Sequence, residues 1–208
     1  MSSFGQDDHR AGAANPRCIC SFLDDATRRD VLAAAPIALG MTLVLPGAAM
    51  AQGENERAKV GDVFVPIDGG GQSPIEPRDV PIGGPPLFVW PMEPASRLVR
   101  NGSRLNKVLL LRLDPATFDA ATREHAADGV VAYTAICPHT GCDVTDWLAE
   151  PKLLECPCHM SQYNPGAAGA LVAGPAPRAL PALPLTIADG KLMVAKPFTS
   201  RVGFTPPA

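Results

Sequence analysis

The chain has 208 residues, room for one domain with extensions, and its apolar content of 46% is ordinary for a folded protein. With 18 basic and 21 acidic side chains the formal charge is only −3, and no basic run stands out, which argues against a nucleic-acid binder. The 23 prolines and 19 glycines disfavour a helical bundle and point to an all-β protein rich in loops.

Residues 1–26 are small and polar without periodicity and read as disordered. Cys18 and Cys20 fall there, and a Cys-x-Cys pair alone is weak ground for metal or redox chemistry. Thr27-Arg28-Arg29-Asp30-Val31-Leu32 and the apolar run 33–51 then resemble a twin-arginine export signal, with Val31 where Phe is common and Ala33 where Lys is common. That route carries proteins already folded. The run closes on Ala49-Met50-Ala51, a small-x-small cleavage pattern. Cleavage gives a soluble periplasmic protein; retention gives a single N-terminal membrane anchor. Pro36 and Pro46 favour cleavage, because they weaken a spanning helix.

Residues 52–84 form a Pro/Gly-rich arm, and seven prolines between Pro74 and Pro94 exclude helix for most of that neighbourhood. Such an arm wraps its own domain or lies along a partner. Short strands are expected at 60–67 and 87–90, with Phe88 and Trp90 filling the core or anchoring a contact. An apolar strand follows at 107–113. Asp114-Pro115 then reads as the cap and first residue of a helix reaching roughly Ala127, with His125 on its surface. The β-branched stretch 129–136 reads as a strand, and another ends at Leu153-Leu154. A final hairpin is expected over 180–195, turning at Asp189-Gly190. The tail from Lys196 to Ala208 shows no clear pattern.

Two runs hold four of the six cysteines and two of the four histidines: Cys137-Pro138-His139-Thr140-Gly141-Cys142 and Cys156-Pro157-Cys158-His159-Met160-Ser161-Gln162-Tyr163. Each can aim one thiolate and one imidazole at a common point. Two such loops suit either a tetrahedral zinc ion or a two-iron cluster with Cys₂ on one iron and His₂ on the other. A zinc site has no need of a further Cys in each loop, whereas a cluster at the solvent edge gains from a disulfide tying its loops together.

The double motif Cys-x-His-x-Gly-Cys and Cys-x-Cys-His-x-Ser resembles that of the Rieske iron–sulfur proteins, and the resemblance covers about residues 85–200. It implies a Rieske-type antiparallel β-sandwich with one short helix and a small cluster-binding subdomain at about 130–178. It implies a 2Fe-2S cofactor held by Cys137, His139, Cys156 and His159, with Cys142 and Cys158 joined as a disulfide. By the same resemblance Ser161 and Tyr163 donate to a bridging sulfide and to the sulfur of Cys137, as in high-potential members, which favours the reduced form. Gly174-Pro175-Ala176-Pro177 corresponds to the loop that covers the cluster. The outer imidazole nitrogens would exchange protons with the redox state, so that the potential falls as pH rises.

The family oxidises quinol in ubiquinol–cytochrome c reductase and feeds a large subunit in arsenite oxidase. Thr140 stands where the quinol-oxidising members usually carry Leu, and Met160 where Gly is usual, so the docking tip departs from that pattern. The expectation is one-electron transfer within a periplasmic or membrane-attached oxidoreductase. The partner is a large redox subunit or a cytochrome-containing complex, with quinol as the alternative donor. A zinc-binding structural module is the alternative of another class.

Overall fold

The computed structural model describes residues 53–69 and 71–204. The expectations for 1–52, which include the export segment with Cys18 and Cys20, and for 205–208 lie outside the described residues.

The described residues form two antiparallel sheets, as an all-β reading requires. The larger comprises β1 (Val63–Pro66), β2 (Leu87–Glu93), β3 (Leu98–Val99), β4 (Val108–Arg112), β5 (Val130–Thr134), β10 (Leu185–Ala188) and β11 (Lys191–Val194). The smaller comprises β6 (Asp146–Leu148), β7 (Leu153–Cys156), β8 (Ser161–Asn164) and β9 (Ala170–Ala173). The large sheet runs β10-β11-β1-β2-β4-β5, with β3 beside β2; the small one runs β6-β7-β8-β9. Thr134 N–H donates to the Pro181 carbonyl and Leu183 N–H to that of Ala132. These bonds tie β5 to the segment that runs into β10, so the large sheet curls back towards its own first strand.

The alternation of side chains along β4 and β5 explains where the site sits. In β4, Val108 and Leu110 point into one core cluster, with Phe64, Val89, Leu183 and Leu192, while Leu109 and Leu111 point into the other. In β5, Val130 and Ala132 join the first cluster, and Val131 and Tyr133 the second. That second cluster also contains Cys137, Cys156, Tyr163 and Ala176. A strand buried on both faces reads as a continuous apolar run rather than an alternating one, which is what Val108-Leu109-Leu110-Leu111 is. One face of β4–β5 therefore completes the body, and the other carries the small sheet with its loops.

Of the two alternatives for the stretch 52–84, the described part packs on its own domain: β1 lies between β11 and β2, and Ile75 and Val80 enter the core. One expectation is corrected. Residues 114–127 are not one helix. Asp114 caps a single 3₁₀ turn, Pro115–Thr117, and Asp119 caps α1 (Ala120–His125) through the Thr122 amide. Phe118 breaks the run: its ring is buried in the core and its backbone is extended, and the Asp119 N–H bonds to the Gly166 carbonyl instead of continuing a helix. The tail carries no helix or strand as far as Phe204, as expected, although Val202 and Gly203 are buried.

Elsewhere the local chemistry explains the elements. Asp189 and Gly190, at φ 50° and 75°, make the two-residue left-handed turn that joins β10 to β11. Pro91 sits where β2 exchanges partners: β4 pairs with residues up to Val89 and β3 from Met92 onwards, so the residue without an N–H falls in the gap. Phe88 packs on the core beside the site, and Trp90 packs with Val63, Val65 and Met92. The buried Arg100 grips Asp62 with two bonds, of 2.6 and 3.1 Å, and reaches the Gly53 carbonyl and Glu56.

Candidate metal centre

The first ligand loop leaves the end of β5. It closes on itself, with Cys137 N–H donating to the Cys142 carbonyl (2.8 Å) and Gly141 N–H to that of Cys137 (3.0 Å). Below it, Thr134 Oγ1 accepts from Ile136 N–H, and Val144 N–H donates to Ala135. Asp143, directly after the loop, binds both Lys107 (2.5 Å) and Arg104 (2.6 Å). Burial pushes the Asp143 carboxyl up, but the two cations outweigh it and hold it below its ordinary value.

The second ligand loop is the turn between β7 and β8, where Cys156 and Ser161 pair across the ladder. Met160 N–H donates to the Cys156 carbonyl (2.9 Å), and Met160 adopts φ 58°, the left-handed conformation that suits glycine better. Gly174 packs against this turn. At its φ of 91° an added Cβ would lie 2.5 Å from Ser161 Cα and 2.7 Å from the Met160 carbonyl oxygen, so only glycine fits. Ser161 Oγ, fully buried, accepts from Ala176 N–H (3.3 Å) and fastens the Gly174–Pro177 segment to β8.

A disulfide joins Cys142 and Cys158, with a Cα–Cα distance of 6.5 Å, and so ties the two loops. Cys137 and Cys156 are free thiols, each 1% exposed. Cys156 Sγ lies within 4.8 Å of both disulfide sulfurs, but those two are spent on each other and offer no thiolate. Beyond the thiols, His139 and His159 meet edge to face, their Nδ1 atoms 3.2 Å apart, with His159 exposed and His139 half-buried. The donors are thus sorted: a dry pair of sulfurs at the base and a pair of imidazole nitrogens at the surface.

Electrostatics favour charge on the sulfurs only once a cation arrives. Burial pushes the Cys156 thiol up to about 11, with neighbouring Cys137 adding to it, while the Cys158 and His159 amides pull the other way. Burial, and then Cys137, also push the Tyr163 hydroxyl well above its ordinary value. Its oxygen is hydrogen-bonded to Cys137 Sγ at 3.1 Å. Two thiols, two converging imidazoles and hydrogen-bond donors aimed at the sulfurs fit a two-iron cluster ligated by Cys₂ and His₂. A groove of about 380 Å³ bounded by Ile67, Leu87, Phe88, Lys107 and Asp143 contains none of these groups.

All four ligand candidates, the disulfide pair, Ser161, Tyr163 and the 174–177 segment are brought together. Thr140 and Met160 are exposed at the tip. His125, on α1, is not part of the assembly. The sequence reading missed the Lys107–Asp143–Arg104 brace and Arg178. Arg178 carries a signal, being the only charged side chain between Glu155 and Asp189.

Residues 105–184 match the family profile described as the Rieske [2Fe-2S] domain. A protein of Haloferax mediterranei named as a respiratory nitrate reductase subunit Rieske is 38% identical over 106 residues, 50% of this chain and 47% of the relative. A cytochrome bc1 complex Rieske iron-sulfur subunit of Streptomyces lividans is 31% identical over 134 residues, 62% of this chain and 78% of the relative. The chain thus spans about half the length of the first of these relatives and over three quarters of the second. The soluble domain of Rieske protein II from Sulfolobus acidocaldarius superposes with a TM-score of 0.34 at 22% identity, over 43% of this chain and 61% of that one.

Proposed function

The chain belongs to the Rieske [2Fe-2S] family, and from that premise we propose that it carries single electrons within a larger oxidoreductase. In this reading Cys137 and Cys156 hold one iron and His139 and His159 the other. The sorting of the donors, buried sulfurs below and surface imidazoles above, is the observation that carries the proposal. When bound, such a cluster supplies one-electron chemistry, at a potential between about −150 and +300 mV for mixed His/Cys ligation.

The chain's own groups fit that task. The Tyr163 hydroxyl on Cys137, together with the Cys158 and His159 amides near Cys156, stabilises negative charge on the ligand sulfurs and so favours the electron-rich state. Ser161 and the 174–177 segment hold a lid over the sulfur side, and the disulfide keeps the two loops in register. The surface imidazoles present the short route by which an electron enters or leaves.

The partner in this reading is a large redox subunit or a cytochrome complex. Relatives named for bc1 and nitrate reductase complexes support that class. The twin-arginine pattern at 27–51 supports export to the periplasm, either cleaved or kept as an anchor. Among the described residues no helix is long and apolar enough to cross a membrane. Quinol oxidation is the second reading. Thr140, exposed where a Leu would add apolar contact, weighs against it by roughly 1–3 kcal/mol of docking energy.

Electron paramagnetic resonance on separated membrane and periplasmic fractions, reduced with ascorbate, tests the assignment. A periplasmic signal, or one blind to a quinol-site inhibitor, agrees with a partner subunit other than a quinol oxidase. A membrane signal that changes shape with the inhibitor transfers the assignment to quinol oxidation. Absence of any such signal from cells rich in the protein contradicts electron transfer altogether.

A further inference from the structure

The C-terminal segment after β11 returns to the metal centre. Thr199 and Ala182 exchange two hydrogen bonds, Thr199 N–H to the Ala182 carbonyl and Ala182 N–H to Thr199 Oγ1. Val202 is buried. Gly203 adopts φ 82° against Leu105 and Ile136, the residue that precedes Cys137, and an added Cβ would come 3.1 Å from Leu105 Cδ2. Phe204 Cβ lies 4.0 Å from where a Cβ on Gly141 would stand, so the end of the segment reaches the first ligand loop. The clasp on this strap is Arg178, one residue beyond the 174–177 segment, whose Nη2 donates to the Gly203 carbonyl at 2.7 Å.

Arg178 is unusual in a second respect. Its Nη1 is buried and has no hydrogen-bond partner, and no ion pair among the described residues includes it. The side chain as a whole is half-buried, but a buried N–H of a cation is costly when it has no partner. Tyr163, the phenol bonded to Cys137 Sγ, lies within its electrostatic reach, and so does Arg201, of like charge. An electron delivered to the metal centre adds one negative charge there.

We propose that Arg178 is a positioning residue of the metal centre: it fastens the segment 199–204 over the first ligand loop, and its unpaired charge compensates the charge that the centre gains on reduction. The charge half rests on the proposed cluster; the fastening half does not.

The full-length chain with Arg178→Met and with Arg178→Lys decides it by two readouts. One is the midpoint potential of the loaded protein by film voltammetry, with the electrode as electron source. The other is amide exchange over residues 137–142 in both loaded and metal-free protein. Arg178→Met is expected to lower the potential and to speed exchange several-fold, and Arg178→Lys to recover most of the potential by returning the charge. Unchanged potential and unchanged exchange in Arg178→Met would overturn the inference, and so would an Arg178→Lys protein as low in potential as Arg178→Met. Should Arg178→Met fail to fold, Phe204→Ala replaces it: faster exchange at 137–142 supports the strap and unchanged exchange refutes it. A wild-type chain that binds no cluster refutes the proposed function and the charge role with it, while exchange in the metal-free chain still decides the strap.

Discussion

Tyr163 and Ser161 each make one contact beside the candidate ligands. The Tyr163 hydroxyl is hydrogen-bonded to Cys137 Sγ at 3.1 Å. Tyr163→Phe removes that hydroxyl with little change of shape. In the loaded protein it should lower the midpoint potential in redox titration and cost about 1 kcal/mol of stability. Ser161→Ala should cost more, about 1–3 kcal/mol in urea unfolding, because the Ala176 N–H would be left buried without an acceptor. The contact of Tyr163 with Cys137 was legible from the motif, whereas the structure gives Ser161 Oγ a partner, the Ala176 amide, that the motif does not contain. Cys156 supplies a pH test on the metal-free protein. Burial raises the folded thiol from its ordinary 9.0 to about 11, so folding favours the protonated form. That contribution is complete below about pH 9 and is lost as pH rises through 11. The urea midpoint of metal-free protein should therefore fall between pH 9 and 11, and less steeply in Cys156→Ser. An equal fall in both would show that Cys156 is not the group responsible.

The elements around the metal centre were unevenly readable. The strand before the first ligand loop was legible because a β-branched run announces it locally, and β5 stands where 129–136 pointed; β7 instead begins at Leu153-Leu154, where its strand was expected to end, and runs on to Cys156. The 114–127 helix was misread because the cap at Asp114 is real but serves one turn only, and the burial of Phe118 depends on contacts that no local pattern contains. β1 was visible as a strand but not as a central one, since its partners, β2 and β11, are set by pairings such as Val63 with Met193 across more than a hundred residues. The disulfide between the loops is the element most open to test. Closing 16 residues of separation should contribute about 2–4 kcal/mol. Cys142→Ser should lower the unfolding free energy by that amount under oxidising conditions and should remove the effect of reductant on the urea midpoint. A wild-type midpoint indifferent to reductant would mean that the crosslink does not brace the loops.

Across the whole molecule, the division of labour follows from two strands. Because β4 and β5 are buried on both faces, one core stabilises the large sheet while the other supports a small sheet with little apolar mass of its own. The candidate ligands thus rest on that base, with the two imidazoles at the surface. Cysteine and histidine spacing made the donor set legible from the chain alone, because ligand chemistry restricts residue types so sharply. The strap, the Asp143 brace and the Arg100–Asp62 grip were not legible, because each joins single residues far apart in sequence through contacts without periodicity. The central claim is that this donor set holds a two-iron cluster with histidine on one iron. Iron, zinc and acid-labile sulfide analysis of the purified full-length chain, with electron paramagnetic resonance after ascorbate reduction, tests it most directly. The account predicts two irons and two sulfides per chain and a Rieske signal that is lost in His159→Ala. One zinc per colourless chain, or a Rieske signal that survives in His159→Ala, would contradict it.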